Sequence, residues 1–208
     1  MGNAALPHQC MSEQKNKRLI RQSIRQRRRA LTQAQLSFAA RELARNTRKY
    51  YQLLLSQRVL SYSPISGEID PKVVLNVLQA EIYLPRITHY KNGAMQFFRQ
   101  QLDFNNASYG NLRLGISEPS GNEPNIAATH LDAVLMPLIA FDRNGYRIGM
   151  GGGFYDRSFA FRLRKSNLKR PLLVGLAHHF QEVESAFANS WDVPLDAIIT
   201  DRELIVVK

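Results

Sequence analysis

The residues best suited to chemistry lie between positions 147 and 156. Gly149, Gly151, Gly152 and Gly153 fall within five positions, with Arg147 on one side and Asp156 on the other. Glycine lets the backbone take positive φ and lets N–H groups approach a ligand with no Cβ in the way. Successive N–H groups turned the same way form a concavity for anions, strengthened where a helix begins just beyond it. Phe154, Phe159 and Leu163 have roughly helical spacing and predict such a helix. The stretch is therefore expected to cradle a phosphate. It matches neither common nucleotide loop. A Walker A loop needs a Lys followed by Ser or Thr, which is missing here. A dinucleotide fingerprint needs a third glycine where Phe154 stands, and it follows a first strand, whereas this loop comes late in the chain. A tight turn is the competing reading, but four glycines between a cation and a carboxylate exceed what a turn requires.

The elements that must position this loop are legible as strands alternating with helices. Asp132–Pro137 and Leu172–Ala177 are nearly continuous apolar runs, as in strands buried on both faces. Arg58–Ser63, Glu81–Pro85, Ala197–Thr200 and Leu204–Val207 read as further strands, with weaker candidates at Met95–Arg99 and Leu112–Ile116. Leu19, Ile20, Ile24 and Leu31 recur among arginines and predict an amphipathic helix over Glu13–Leu31. Thr32 is expected to cap a second helix running to about Tyr51, and Asp70-Pro71 to open a third through Gln79. Glu118–Asn125, rich in Pro, Gly and Asn, reads as a loop. This alternation predicts an α/β sandwich with a mostly parallel sheet. Residues 1–14 are aperiodic and expected to be a flexible lead-in, with residues 15–208 forming a single α/β catalytic domain.

Composition narrows the function classes. The chain has 208 residues, 44% of them hydrophobic, enough to bury a sizeable core. It contains no apolar run of 18 residues, so no membrane span is expected. Cys10 is the single cysteine and the opening residues do not read as a secretion signal, so a cytoplasmic protein is expected. The net charge of +11 is confined: residues 1–50 hold twelve Lys and Arg against Glu13 and Glu42, and the remainder is nearly balanced. Such a segment can meet RNA, or a small polyanion such as ATP.

The stretch Asp132-Ala133-Val134-Leu135-Met136-Pro137-Leu138-Ile139-Ala140-Phe141-Asp142, followed by Gly145-Tyr146-Arg147-Ile148-Gly149-Met150-Gly151-Gly152-Gly153-Phe154-Tyr155-Asp156-Arg157, resembles the signature of the 5-formyltetrahydrofolate cyclo-ligase family. The likeness runs from about Lys17 to Thr200. It includes Arg29-Ala30-Leu31-Thr32, Glu68-Ile69-Asp70, Leu84-Pro85, Gly115–Pro119, Gly175-Leu176-Ala177 with Gln181, and Trp191–Asp196 in the expected order. The resemblance implies a three-layer α/β/α sandwich. It also implies ATP- and Mg²⁺-dependent conversion of 5-formyltetrahydrofolate to 5,10-methenyltetrahydrofolate, releasing ADP and phosphate.

Residue by residue, the resemblance implies that Lys17, Arg18, Leu19, Ile20 and Arg21 meet the nucleotide, with Lys17 and Arg21 on its phosphates. It implies the same of Arg147, Ile148, Gly149, Met150, Gly151, Gly152, Gly153, Phe154 and Tyr155. Lys17, Arg21, Arg147 and Tyr155 are the expected catalytic set. Met150 to Phe154 also border the folate, with Ser63 and Glu68 as further substrate contacts, Glu68 toward the pterin. Asp156 and Asp192 match the Mg²⁺ ligands, hard carboxylate oxygens that would share the ion with ATP. Structural alternatives stand beside each: a solvated basic face for Lys17 and Arg21, an ion pair with Arg147 or Arg157 for Asp156, a turn for Asp192, and a turn cap for Glu68.

Three positions depart from the family pattern: Phe154 in place of tyrosine, Ile148 in place of leucine, and His178-His179 before Gln181. Adjacent side chains in an extended segment point apart, so no zinc site is expected of the two histidines. The expected substrate is 5-formyltetrahydrofolate, with or without added glutamates, bound by a monomer. Two other functions compete: another ATP-dependent or sugar-phosphate enzyme on the same scaffold, and an RNA-associated protein using Arg18–Arg29. That basic segment has neither aromatic platforms nor a reader motif, so nucleic acid is not expected.

Overall fold

The computed structural model describes residues 7–65, 67–89, 93–100, 125–164 and 170–207. Eight strands form the main sheet: β1 (Arg58–Leu60), β2 (Glu81–His89), β3 (Ala94–Arg99), β4 (Asn125–Ile126), β5 (Ala133–Met136), β8 (Leu172–Ala177), β9 (Ala197–Thr200) and β10 (Leu204–Val206). Their order is β10-β9-β8-β5-β1-β2-β3-β4. The five strands from β9 to β2 run parallel, and antiparallel strands flank them on both sides. A small hairpin, β6 (Ala140–Phe141) with β7 (Arg147–Ile148), stands apart from this sheet.

Alternation along the central strands divides the core in two. Val59, Ala133, Leu135, Val174 and Ile199 face one side, where they pack with Leu43 and Leu53. Leu60, Val134, Met136, Leu173 and Ile198 face the other, against Phe159. The first side is roofed by α2 (Gln33–Thr47), α3 (Tyr51–Leu54) and α4 (Lys72–Leu75), the second by α5 (Phe154–Phe159) and α6 (Phe161–Arg164). Each wholly buried leucine contributes about 1.5–3 kcal/mol. The result is the expected three-layer α/β/α sandwich with a mostly parallel sheet.

Helix α2 starts where Thr32 predicts. Gln35 N–H donates to Thr32 Oγ1 and the Gln35 side chain returns to the Thr32 N–H, a complete capping box. Asn46 then ties the helix to the sheet by donating to the Thr200 carbonyl at 3.0 Å. Helix α1 (Pro7–Arg29) begins earlier than the spacing suggests, so residues 7–14 are its opening turns and not a lead-in. It rests on the body through Ile20, Ile24 and Arg28, beside Ile139 and Ile148. Among the described residues no helix is long and apolar enough to cross a membrane.

Several boundaries differ from expectation. The strand expected over Arg58–Ser63 ends at Leu60, where the chain turns so that the buried Tyr62 hydroxyl donates to the Ile69 carbonyl. The helix expected from Asp70 through Gln79 shrinks to α4, and the helix expected over Phe154–Leu163 divides in two after Phe159. β2 continues through Pro85 to His89. β1 pairs only with Glu81–Tyr83, so the missing N–H of Pro85 faces no β1 partner. Leu112–Ile116 and most of the loop expected at Glu118–Asn125 lie outside the described residues.

Asp132 fastens the centre of the sheet. Its Oδ2 accepts from the N–H groups of Gln57 and Arg58, and its Oδ1 from Arg170 at 2.7 Å. Burial alone would raise this carboxyl, but the Arg58 side chain and the two N–H groups outweigh it and hold it below the ordinary aspartate value. The stabilisation is therefore present above an unfolded aspartate's pKa and is lost as pH falls through the lower folded value. Asp132→Asn should lower stability by about 1–3 kcal/mol in denaturant unfolding at neutral pH. The gap to wild type should close in melts as the pH falls through the lowered folded value of Asp132.

Candidate active site

Strands β1 and β5 lie side by side, but the chain leaves β1 toward β2 and leaves β5 toward β8, on opposite sides. The carboxyl ends of a parallel sheet part at such a switch point, and ligands bind in the crevice that opens there. Tyr62 and Ser63 follow β1, Pro137 and Leu138 follow β5, and all four line a cavity of about 980 Å³.

The β6–β7 hairpin carries the glycine loop to the rim of this cavity. Arg147 clamps the loop's base: Nη1 donates to the Val193 carbonyl at 2.6 Å and Nη2 to Asp156 Oδ1 at 2.7 Å. Two more arginines hold the loop's carbonyls, Arg21 Nε on Gly149 O at 2.9 Å and Arg157 on Gly152 O. Gly151 and Gly153 have φ of 106° and 61°, where any other residue is strained. Among the described residues, the N–H groups of Met150, Gly151, Gly152 and Gly153 donate to no protein acceptor. Carbonyls held by cations and donors left over give the chemistry of an anion cradle.

Lys17 and Arg21 also line the cavity, one helical turn apart. Burial, with Arg25 nearby, lowers the Arg21 guanidinium from its ordinary value. Arg18, Leu19 and Ile20 do not line the cavity, because the turn between Lys17 and Arg21 carries them round the helix. Arg18 is exposed on a basic groove with Arg25 and Arg29, Leu19 is exposed, and Ile20 packs against the hairpin. Asp156 and Asp192 both line the cavity. Asp156 accepts through Oδ1 from Arg147 and the Val193 N–H, and Asp192 through Oδ2 from Asn189. The ion pair foreseen for Asp156 and the turn foreseen for Asp192 are thus both present. Among the described residues no hydrogen bond reaches the second oxygen of either carboxylate. Two such oxygens beside an anion cradle fit a hard divalent ion. His179, Glu182 and Glu203 also cluster, but Arg143 bridges the two glutamates and none of the three lines the cavity.

The cavity is also lined by Glu68, Tyr62 and Tyr155, with apolar surface from Pro85, Ile87 and Met95. Burial raises the Glu68 carboxyl above the usual glutamate value despite Arg28, which opposes it with the help of the Ile65 N–H. Burial also pushes the Tyr155 phenol well above its ordinary value, Glu68 adding to the effect and Arg147 opposing it. Sequence reasoning did not find Arg28, Trp191 or the paired Ile87 and Met95. The β2–β3 register that brings those last two to the cavity is not written in local sequence. For Arg28 a signal existed: it falls four residues after Ile24, on the buried stripe of α1.

Fold and site together define an α/β enzyme in which an anion cradle and a carboxylate pair adjoin apolar surface in one cavity. The sequence profile of the 5-formyltetrahydrofolate cyclo-ligase family matches residues 13–201, and the chain belongs to that family. The 5-formyltetrahydrofolate cyclo-ligase of Escherichia coli K12 is 33% identical over 189 residues, covering 87% of this chain and 98% of its own. That of Haemophilus influenzae is also 33% identical, over 91% of this chain and 99% of its own. The solution structure of the Aquifex aeolicus 5,10-methenyltetrahydrofolate synthetase superposes with a TM-score of 0.75 at 25% identity, covering 92% of this chain and 93% of that one. A Mycoplasma pneumoniae 5,10-methenyltetrahydrofolate synthetase shares the fold, with a TM-score of 0.66 at 23% identity over 89% and 98%.

If Arg147 is the clamp, Arg147→Met should leave Asp156 and the Val193 carbonyl without their partner. Thermal and denaturant unfolding should show a loss of about 3 kcal/mol. An unchanged melt would mean that the loop is held by other contacts.

Proposed function

We propose that this chain catalyses the ATP-dependent cyclisation of 5-formyltetrahydrofolate to 5,10-methenyltetrahydrofolate, with release of ADP and phosphate. The observation that carries this reading is the single cavity in which four uncommitted loop N–H groups, Lys17, Arg21 and two carboxylates adjoin an apolar wall bearing Glu68. One side suits a triphosphate and the other a flat, hydrogen-bonding ring system. Another ATP-dependent enzyme would account for the first side but has no feature here that favours it over the family's reaction.

The chemistry asks the protein mainly for position and charge. The formyl oxygen attacks the γ-phosphorus as ADP leaves, which turns a poor leaving oxygen into a phosphate ester. The folate N10 then attacks the activated carbon, loses its proton, and closes the five-membered ring as phosphate departs. The in-line transfer spreads negative charge over equatorial phosphate oxygens. The loop N–H groups of residues 150–153, Lys17 and Arg21 would meet that charge from positions fixed in advance. Asp156 and Asp192 would hold Mg²⁺, whose charge would offset that of the phosphates. Arg147, committed to Asp156 and Val193, serves by fixing the loop and the carboxylate. The raised Tyr155 phenol stays protonated and is a hydrogen-bond donor to the transferring group. Ser63 and Glu68 orient the folate, while the rings of Phe154 and Trp191 flank it near the opening.

Every group given a role above lies on one chain, so on this reading a monomer suffices for the reaction. Its rim, with Met150 and Trp191 exposed, leaves the glutamate end of the substrate room to carry further glutamates. The lone cysteine supports action in the cytoplasm. Purified protein with 5-formyltetrahydrofolate and Mg²⁺ should show growth of the methenyl-folate absorbance only when ATP is added. A flat trace from folded, ATP-binding protein would overturn the assignment. Asp192→Asn should keep the fold and raise the Mg²⁺ concentration for half-maximal rate by about tenfold or more.

A further inference from the structure

The side chains of Arg28 and Glu68 are 4% and 5% exposed, on elements forty residues apart. Arg28 Nη1 donates to Glu68 Oε1 at 3.4 Å, and Nη2 donates to the Leu138 carbonyl at the end of β5. The other carboxylate oxygen, Oε2, accepts from the Ile65 N–H at 3.2 Å. The backbone is shaped to admit the arginine. Gly67 has φ of 73°, and a Cβ there would sit 2.7 Å from Arg28 Cβ. Among the described residues, the buried Arg28 Nε has no hydrogen-bond partner. A buried, incompletely satisfied ion pair is a poor source of stability, and apolar residues of similar size often do better. Its retention at a cavity wall points to a task other than folding.

We propose that Arg28 is a positioning residue for the substrate: it fixes the Glu68 carboxylate in the cavity wall, where that group accepts hydrogen bonds from the folate ring. This rests on the cyclo-ligase reading and adds to it a residue that never touches substrate. Arg28 is suited to the task because its planar fork spans Glu68 and the Leu138 carbonyl at once, which a lysine cannot do. Arg28 shares helix α1 with Lys17 and Arg21, so the same rigid element reaches the phosphate side and the ring side of one cavity.

The other titratable groups around the pair are Tyr62 after β1, Tyr155 of α5, His178 after β8, Arg25 of α1, Asp70 and, behind His178, Asp201. Burial and Glu68 both raise Tyr62, so its phenol stays neutral, as does that of Tyr155. Burial lowers His178 and Asp201 opposes this, Arg28 adding to the lowering. Arg28 is thus the cation that pairs with Glu68. Removing it must raise the carboxyl further, because burial already raises it and Arg28 opposes that rise.

The test is a double-mutant cycle in the full-length protein with Arg28→Met and Glu68→Gln, read as kcat/KM for 5-formyltetrahydrofolate across pH. Each single change should cost about tenfold or more, and the double change no more than the worse single, because one residue acts through the other. The acid limb of the profile should move to higher pH in Arg28→Met and vanish in Glu68→Gln. KM for ATP should stay within about twofold in all three. Multiplicative losses, or an acid limb unmoved in Arg28→Met, would overturn the positioning role while leaving the activity intact. Absence of turnover in the wild type would instead overturn the activity, and this role with it. Should Arg28→Met fail to fold, Arg28→Lys decides: retention of the acid limb with KM raised for the folate alone supports the role. Equal losses for folate and ATP contradict it.

Discussion

Strands β1 and β5 are neighbours whose onward connections run to opposite sides of the sheet, so neither connection crosses the space beyond their carboxyl ends. That topological constraint creates the crevice, and the other features of the site are arranged around it. The turn after β1 brings Tyr62, Ser63 and Glu68 to one wall. The turn after β5 brings Pro137 and Leu138 to the floor, and the β6–β7 hairpin leans the glycine loop over the rim. Asp132 keeps the two strands in register at the opposite end, since it binds the N–H groups that open β1 and the side chain of Arg170 ahead of β8. The central strands are buried on both faces, and a position so determined can present loops with little freedom.

Arginine does much of the remaining work, and this changes the meaning of the charge. A net of +11 concentrated in the first fifty residues suggests a surface for polyanions. Yet Arg28 is buried on Glu68, Arg21 holds a loop carbonyl, and Arg27 lies over the Phe180 ring at 4.5 Å. Further along, Arg147 and Arg157 grip the loop from its own side. Several of these cations hold the backbone of the glycine loop at the cavity rim. Arg18, Arg25 and Arg29 remain on the exposed face of α1.

The sheet was legible where strands are buried on both faces. Leu172–Ala177 is a nearly continuous apolar run and Ala197–Thr200 reads as a strand, and the structure places β8 and β9 on those residues. Strands with one solvated side, or with proline, were harder to bound: β2 runs four residues beyond Pro85 because its missing N–H meets no neighbour. The glycine loop was legible because its backbone demands glycine at Gly151 and Gly153. The pairing of Ile87 with Met95 depends on register, and the burial of Arg28 among three consecutive arginines depends on which face of α1 meets the hairpin. Local sequence records neither directly. The resemblance that named Lys17 to Arg21 as a run could not separate the two that face the cavity from the three that do not.

The central claim is that backbone N–H groups of residues 150–153 receive the phosphates. Amide hydrogen exchange of the segment 148–155, measured with and without MgATP, tests it most directly. Slower exchange there and at Lys17–Arg21 in the presence of MgATP is the predicted result. Unchanged exchange in the loop, under conditions where MgATP is bound and turned over, would contradict it.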